Sequence, residues 1–159
     1  RFKLPRDEVS RRVDQALLRF GLGDKRDNSP HTLSGGEKQL LALAAVLVIE
    51  PELVIADEPT TLLDARNRRR IIGEIAALEQ QVIVVTHLPQ VAAYADTHLH
   101  VAKNVGDDTV TSGVAELSGD DRVEELARML AGMDDSATGR AHAAELLQRA
   151  AEDVAKMRG

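Results

Sequence analysis

Two short apolar runs, "ELVIAD" at 52–57 and "QVIVVTH" at 81–87, most constrain what this chain can fold into. Each has the length of a strand, is rich in β-branched residues and ends on polar or charged ones, the pattern of a buried parallel strand. Between them, over roughly 64–79, Ile71, Ile72, Ile75 and Leu78 recur at helical spacing. Strand, helix, strand in that order gives a βαβ unit with parallel strands and a right-handed crossover. The expected fold class is therefore α/β.

The flanking segments add helices. Val9, Val13, Ala16, Leu17 and Phe20 share one face of a helix over 6–20, which Gly21-Leu22-Gly23 ends. Ser34 is placed to cap a helix from about Gly36 to Ile49, closed off by Pro51. Beyond His87, "PQVAAYAD" reads as a short helix, and "THLHVAKN" and "TVTSGVAEL" as a hairpin around "VGDD". A helix over 120–132 carries Val123, Leu126, Ala127 and Leu130 as its stripe. A last helix runs from about Gly139, with Leu146, Leu147, Ala150 and Val154 expected to pack onto the sheet.

Composition narrows the function classes. Phe2, Phe20 and Tyr94 are the aromatic residues, so the core is aliphatic and base-stacking platforms are not expected. The chain has no cysteine, which excludes disulfides and thiolate metal sites. The longest apolar run, Leu40 to Ile49, is about half the length that crosses a bilayer, so no direct membrane insertion is expected and a cytoplasmic location is. The net charge of −6 lies wholly in residues 88–159, while residues 1–87 balance. The expected divisions are a helical part at 1–50, a core part at 51–87 and a C-terminal part at 88–159.

In open α/β sheets, ligands sit beyond the carboxyl ends of the strands. Here those ends carry Asp57-Glu58 and Thr86-His87. A carboxylate pair at a strand end suits metal-assisted phosphoryl transfer, one group holding Mg²⁺ through water and the next deprotonating an attacking water. Ser34-Gly35-Gly36 has a related logic: two glycines let the backbone approach an anion where a helix begins, and the serine adds a hydroxyl.

Taken together, "LSGGEKQ" (33–39), "LVIADEPT" (53–60), "LLDA" (62–65) and "VIVVTH" (82–87) resemble the second half of an ATP-binding cassette (ABC) ATPase. The resemblance implies a partial P-loop NTPase fold, a parallel sheet with a helical subdomain and a helical C-terminal tail. It implies that Ser34, Gly35 and Gly36 form the signature motif, which contacts ATP held by an opposite subunit. Asp57 would be the Walker B aspartate on Mg²⁺, Glu58 the catalytic base, Asp64 the D-loop aspartate at a dimer interface and His87 the switch histidine. A Walker A loop, G-x-x-x-x-G-K-[ST], does not occur, and the glutamine loop is missing too. The chain is expected to start just after that loop and not to hydrolyse ATP unaided; a second ATPase subunit or an N-terminal half would have to supply the rest.

The two halves resemble different branches. Residues 1–87 are similar to the ATPase subunit of energy-coupling-factor or cobalt-type importers, which implies a membrane transport subunit as partner and a place at the inner face of the membrane. Residues 81–159 resemble the C-terminal end of the RecN DNA-repair ATPases, which implies DNA as a partner. A joint inside "QVIVVTH", in a chimeric or recombined chain, accounts for both; a divergent member of one branch and an inactive fragment without nucleotide are the alternatives. Arg66, Arg68, Arg69 and Arg70 read as a solvated helix face, and His98 and His100 as surface histidines sharing one strand face.

Overall fold

The computed structural model describes residues 4–61, 63–105, 110–132 and 137–158. The chain divides into two compact units, Arg1–Val85 and Thr86–Gly159. In the first, α1 (Arg6–Arg19) packs on α2 (Gly35–Leu47), and β1 (Leu53–Asp57), α3 (Ala65–Ala76) and β2 (Gln81–Val85) follow. β1 and β2 pair in parallel from Leu53 opposite Gln81 to Asp57 opposite Val85, the expected βαβ unit. Leu17, Phe20, Leu22, Leu40, Ala44, Leu63 and Ile71 form one core, so both N-terminal helices share their interior with α3.

Three expectations are corrected in this unit. The strands are not buried on both sides: Val54 and Ala56 are covered, whereas Ile55 is 68% and Ile83 43% exposed, with Leu53 and Val85 beside them. One crossover carries one helix, and one helix covers one face of a ladder. α2 stops at Leu47, two residues early, because Glu50 takes φ +50° immediately before Pro51. The arginine cluster is also not merely solvated. Arg70 reaches back across the unit and its Nη2 donates to the carbonyls of Leu18 and Arg19, where α1 ends, while Arg68 Nη2 donates to Leu63 O at 3.2 Å. Arginine at a helix C-terminus satisfies orphan carbonyls and opposes the dipole.

Gly21 makes the Arg70 contact workable. Its φ is +67°, and a Cβ there would stand 2.1 Å from Arg70 Nη1. Gly21→Ala is therefore expected to destabilise the unit by about 1–2 kcal/mol from the left-handed backbone alone, with further loss as Arg70 is displaced. Denaturant midpoints of the two proteins check this.

In the second unit, α4 (Pro89–Ala92) leads to a hairpin of β3 (His98–Val105) and β4 (Val110–Leu117), then α5 (Gly119–Ala131) and α6 (Ala137–Arg158). β3 and β4 pair antiparallel, Val101 opposite Val114, as expected; most of the "VGDD" turn lies outside the described residues. Within this unit α6 packs on α5, through a core of Ala92, Ala93, Leu126, Ala127, Ala143 and Ala150. Small residues at Ala143 and Ala150 let the two helices approach, so the contact runs through alanines more than through the larger leucines. Arg122 of α5 ties α4 down, its Nη2 donating to the carbonyls of Ala92, Ala93 and, at 2.7 Å, Ala95.

His98 and His100 are surface histidines in part only, each partly covered, with 36% of the His100 side chain exposed. Burial first, then the Arg122 charge, holds the His98 imidazole below its ordinary value of 6.5. The folded state then binds fewer protons than the unfolded one just below pH 6.5, so stability is full above that value and falls as the pH drops through the folded pKa. Glu125, held down by its bond from Arg128, and Asp96, held down by Arg158, add losses of the same sign at lower pH. Thermal melting of the wild type should therefore fall on acidification below 6.5, and His98→Gln should lose the uppermost part of that dependence.

Candidate functional site

The start of α2 is built by a reciprocal cap. Ser34 is extended, its Oγ accepts from Glu37 N at 3.2 Å, and its own N–H donates to Glu37 Oε2 at 2.8 Å. The Ser34 backbone bond, then the Ser34 hydroxyl, lower the Glu37 carboxyl below its ordinary value. The amides of Gly35 and Gly36 belong to the first turn, where no intrahelical acceptor exists. A Cβ at Gly35 would meet nothing within 4 Å, so that helix end is open to an approaching group. Ser34 Oγ, while accepting one bond, keeps its own proton to donate.

The second part of the site is the turn after β1. Asp57 is exposed at the end of the strand. Glu58 is half-buried with φ +45°, a left-handed conformation for a non-glycine residue, and its N–H donates to Val85 O at 2.8 Å. Thr61 Oγ1 donates to Glu58 O at 3.2 Å and lies 3.4 Å from Glu58 Oε2. Pro59 and Thr60 are fully buried, and the Thr60 hydroxyl has no partner among the described residues. A non-glycine left-handed residue persists where its surroundings over-determine it, and such residues cluster at functional sites.

Asp64 serves locally as the N-cap of α3, Oδ1 accepting from Asn67 N at 2.8 Å and Oδ2 from Asn67 Nδ2 at 3.0 Å. The first unit thus holds Ser34, Gly35, Gly36, Asp57, Glu58 and Asp64. His87 falls in the second unit, where it is exposed and lies two residues past the end of β2, not within the strand as expected. Thr86 Oγ1 accepts from Leu88 N at 3.1 Å and turns the chain there.

The α2 start and the Glu58 turn are joined by residues the sequence did not single out. Gln39 Nε2 donates to Pro59 O at 3.2 Å, and a Cβ at Gly36 would lie 3.6 Å from Leu63 Cδ2, an ordinary contact. The cap had a legible signal in the Ser34-x-x-Glu37 spacing; the Gln39 bond had none. Among the described residues no group of three or more His, Asp or Glu is gathered as a metal cage. That is compatible with Mg²⁺, which takes one or two carboxylates and fills its shell with water and phosphate.

β1 ends on Asp57, with Glu58 next and a serine-capped glycine helix start beside it, and the fold that carries them is a partial ABC-type P-loop ATPase fold. Residues 3–61 match the family model described as ABC transporter. An ABC transporter ATP-binding protein of Deinococcus radiodurans is 55% identical over 85 residues, 54% of this chain and 38% of the relative. The solved structure of cbiO1 from Clostridium perfringens, part of the ABC transporter complex cbiONQ, has 38% identity and a TM-score of 0.55, covering 62% of this chain and 41% of that one. The DNA repair protein RecN of Mycobacterium leprae is 50% identical over 126 residues, 76% of this chain and 21% of the relative. Both expected likenesses, to ABC transporter ATPases and to RecN, are thus present, but the RecN likeness reaches further. A match to 76% of the chain cannot fit within residues 81–159, which are about half of it. The chain spans about two fifths of the length of the first relatives it matches. No helix among the described residues is long and apolar enough to cross a membrane.

Proposed function

We propose that this chain is the signature-bearing and Walker B-bearing part of an ATPase that binds and hydrolyses ATP between two nucleotide-binding subunits and energises an importer. The observation that carries it is the Glu58 turn: a carboxylate held in a left-handed conformation at the carboxyl end of a parallel strand, next to Asp57. Asp57 would hold Mg²⁺, which neutralises charge on the phosphates when bound. Glu58 would accept the proton of the attacking water, and His87 would reach the terminal phosphate. The Ser34 hydroxyl and the Gly35 and Gly36 amides would donate to the terminal phosphate of ATP held by the opposite subunit. Asp64, already engaged in capping α3, would face the dimer interface through its exposed side. A membrane transport subunit is the partner this reading requires, with the ATPase peripheral to the membrane.

The test fuses the chain behind an N-terminal ATPase half that carries a G-x-x-x-x-G-K-[ST] loop and measures Mg-ATP hydrolysis. The fusion is expected to turn over ATP, while the chain alone binds none at submillimolar concentration. Submillimolar binding by the chain alone defeats the claim that a Walker A loop must come from elsewhere; an inert fusion favours a fragment without nucleotide chemistry.

A RecN-type head is the second reading, favoured by the length of the RecN likeness, which crosses the expected joint. DNA would then be the partner. Stimulation of the fusion's ATPase by double-stranded DNA selects this reading, and co-purification with a membrane subunit selects the first.

A further inference from the structure

We infer that Gln39 is a positioning residue for Glu58, coupling the start of α2 to the turn that carries the proposed base; this rests on the ATPase reading above. The Glu58 turn is short and awkward. Glu58 sits at φ +45°, and the next two residues are fully buried, so the backbone polar groups there cannot turn to water. On one side the turn is fastened to β2 through Glu58 N to Val85 O, and on its own length through Thr61 N to Glu58 O and Leu63 N to Thr60 O. On the other side the half-buried Gln39 amide meets the Pro59 carbonyl.

The Pro59 residue is fully buried, so its carbonyl must be matched by a donor from the protein. Gln39 lies on α2 two residues beyond the capping box, directly before Leu40 of the core. Its amide is therefore carried by a helix whose start is fixed by Ser34 and Glu37 and whose body is fixed by Leu40 and Ala44. Any shift of the α2 start, such as that made by a phosphate drawing on Gly35 and Gly36, would move the donor that holds Pro59. Because Pro59 follows Glu58 directly, the carboxylate would move with it. Ser34–Gly36 and Glu58 are thus linked within one chain through the Gln39–Pro59 bond, and in a reciprocal dimer these two groups would serve opposite ATP molecules. The bond would let occupancy of one ATP site set the geometry of the other.

The experiment uses the fusion protein described above. Gln39→Leu, which keeps bulk and loses the donor, is expected to lower kcat for Mg-ATP by about 10- to 100-fold, the range that misplacing a reacting group produces. KM is expected to stay within about twofold, since a base that only accepts a proton contributes little to ground-state binding, while the melting midpoint falls modestly because the buried Pro59 carbonyl loses its donor. Gln39→Lys, which restores a donor of sufficient reach, should recover most of kcat. Wild-type kcat in Gln39→Leu, or a loss that follows melting temperature and is not recovered by Gln39→Lys, overturns the inference alone. A wild-type fusion that hydrolyses no ATP overturns the ATPase reading and this inference with it. If Gln39→Leu does not fold, Gln39→Glu tests the same bond: it places an acceptor against the carbonyl and must lower kcat for the inference to stand.

Discussion

Glu58→Gln is expected to lower ATP turnover by the completed ATPase roughly 100- to 10,000-fold, the usual weight of a positioned general base. The amide has nearly the same volume as the carboxylate and can keep the Thr61 contact, so the turn should persist while the proton acceptor is lost. Mg-ATP binding should remain close to wild type. Phosphate release at steady state, with nucleotide titration alongside, separates the two quantities; turnover within about tenfold of wild type would remove Glu58 from the role of base. A companion substitution reports on the backbone. Because Glu58 occupies φ +45°, Glu58→Gly should gain roughly 1 kcal/mol of stability while losing the same turnover. Stability and activity moving in opposite directions is the signature of a residue kept for its chemistry.

The second large effect is structural. Phe20→Ala should destabilise the first unit by about 3–5 kcal/mol, through lost transfer energy and the cavity left behind. Phe20 is 1% exposed and stands at the meeting point of α1, α2 and α3, packed with Leu17, Leu40, Leu63 and Ile71. It also follows the last turn of α1, its N–H donating to Ala16 O at 3.1 Å. Set against a total of about 5–15 kcal/mol for a domain, that loss removes a large share of the stability that holds the Ser34 helix start and the Glu58 turn in their native arrangement. Urea denaturation gives the difference directly, and a loss below about 1 kcal/mol would mean that the core can collapse around the vacancy.

Much of this was legible in the residues because periodicity and chain punctuation are local. The β-branched runs at 53–57 and 81–85 had to pair in parallel once a helix joined them, and Ser34 could cap because a glycine pair and an apolar run followed. What periodicity cannot state is what stands opposite a face. Leu53 and Ile55 carry the composition of a covered strand, yet cover depends on elements elsewhere in sequence. Long side chains were the other blind spot. Arg70, Arg122 and Gln39 all bond backbone carbonyls between 20 and 52 residues away, and nothing at their own positions marks them apart from solvated neighbours. Nor does anything at positions 98 and 100 announce their charged neighbours: Arg122 and Glu125 come more than twenty residues later.

The bare side of the β1–β2 ladder bears on how such a chain would fare during its synthesis. Leu53, Ile55, Ile83 and Val85 make an exposed apolar strip on a ladder that has two strands among the described residues, the kind of surface on which nascent chains pair wrongly. The interval between release from the ribosome and coverage of that strip becomes the vulnerable period. Cellular abundance would then be governed less by how well the unit folds than by how promptly something arrives to cover it, and surplus copies would be the first to be degraded.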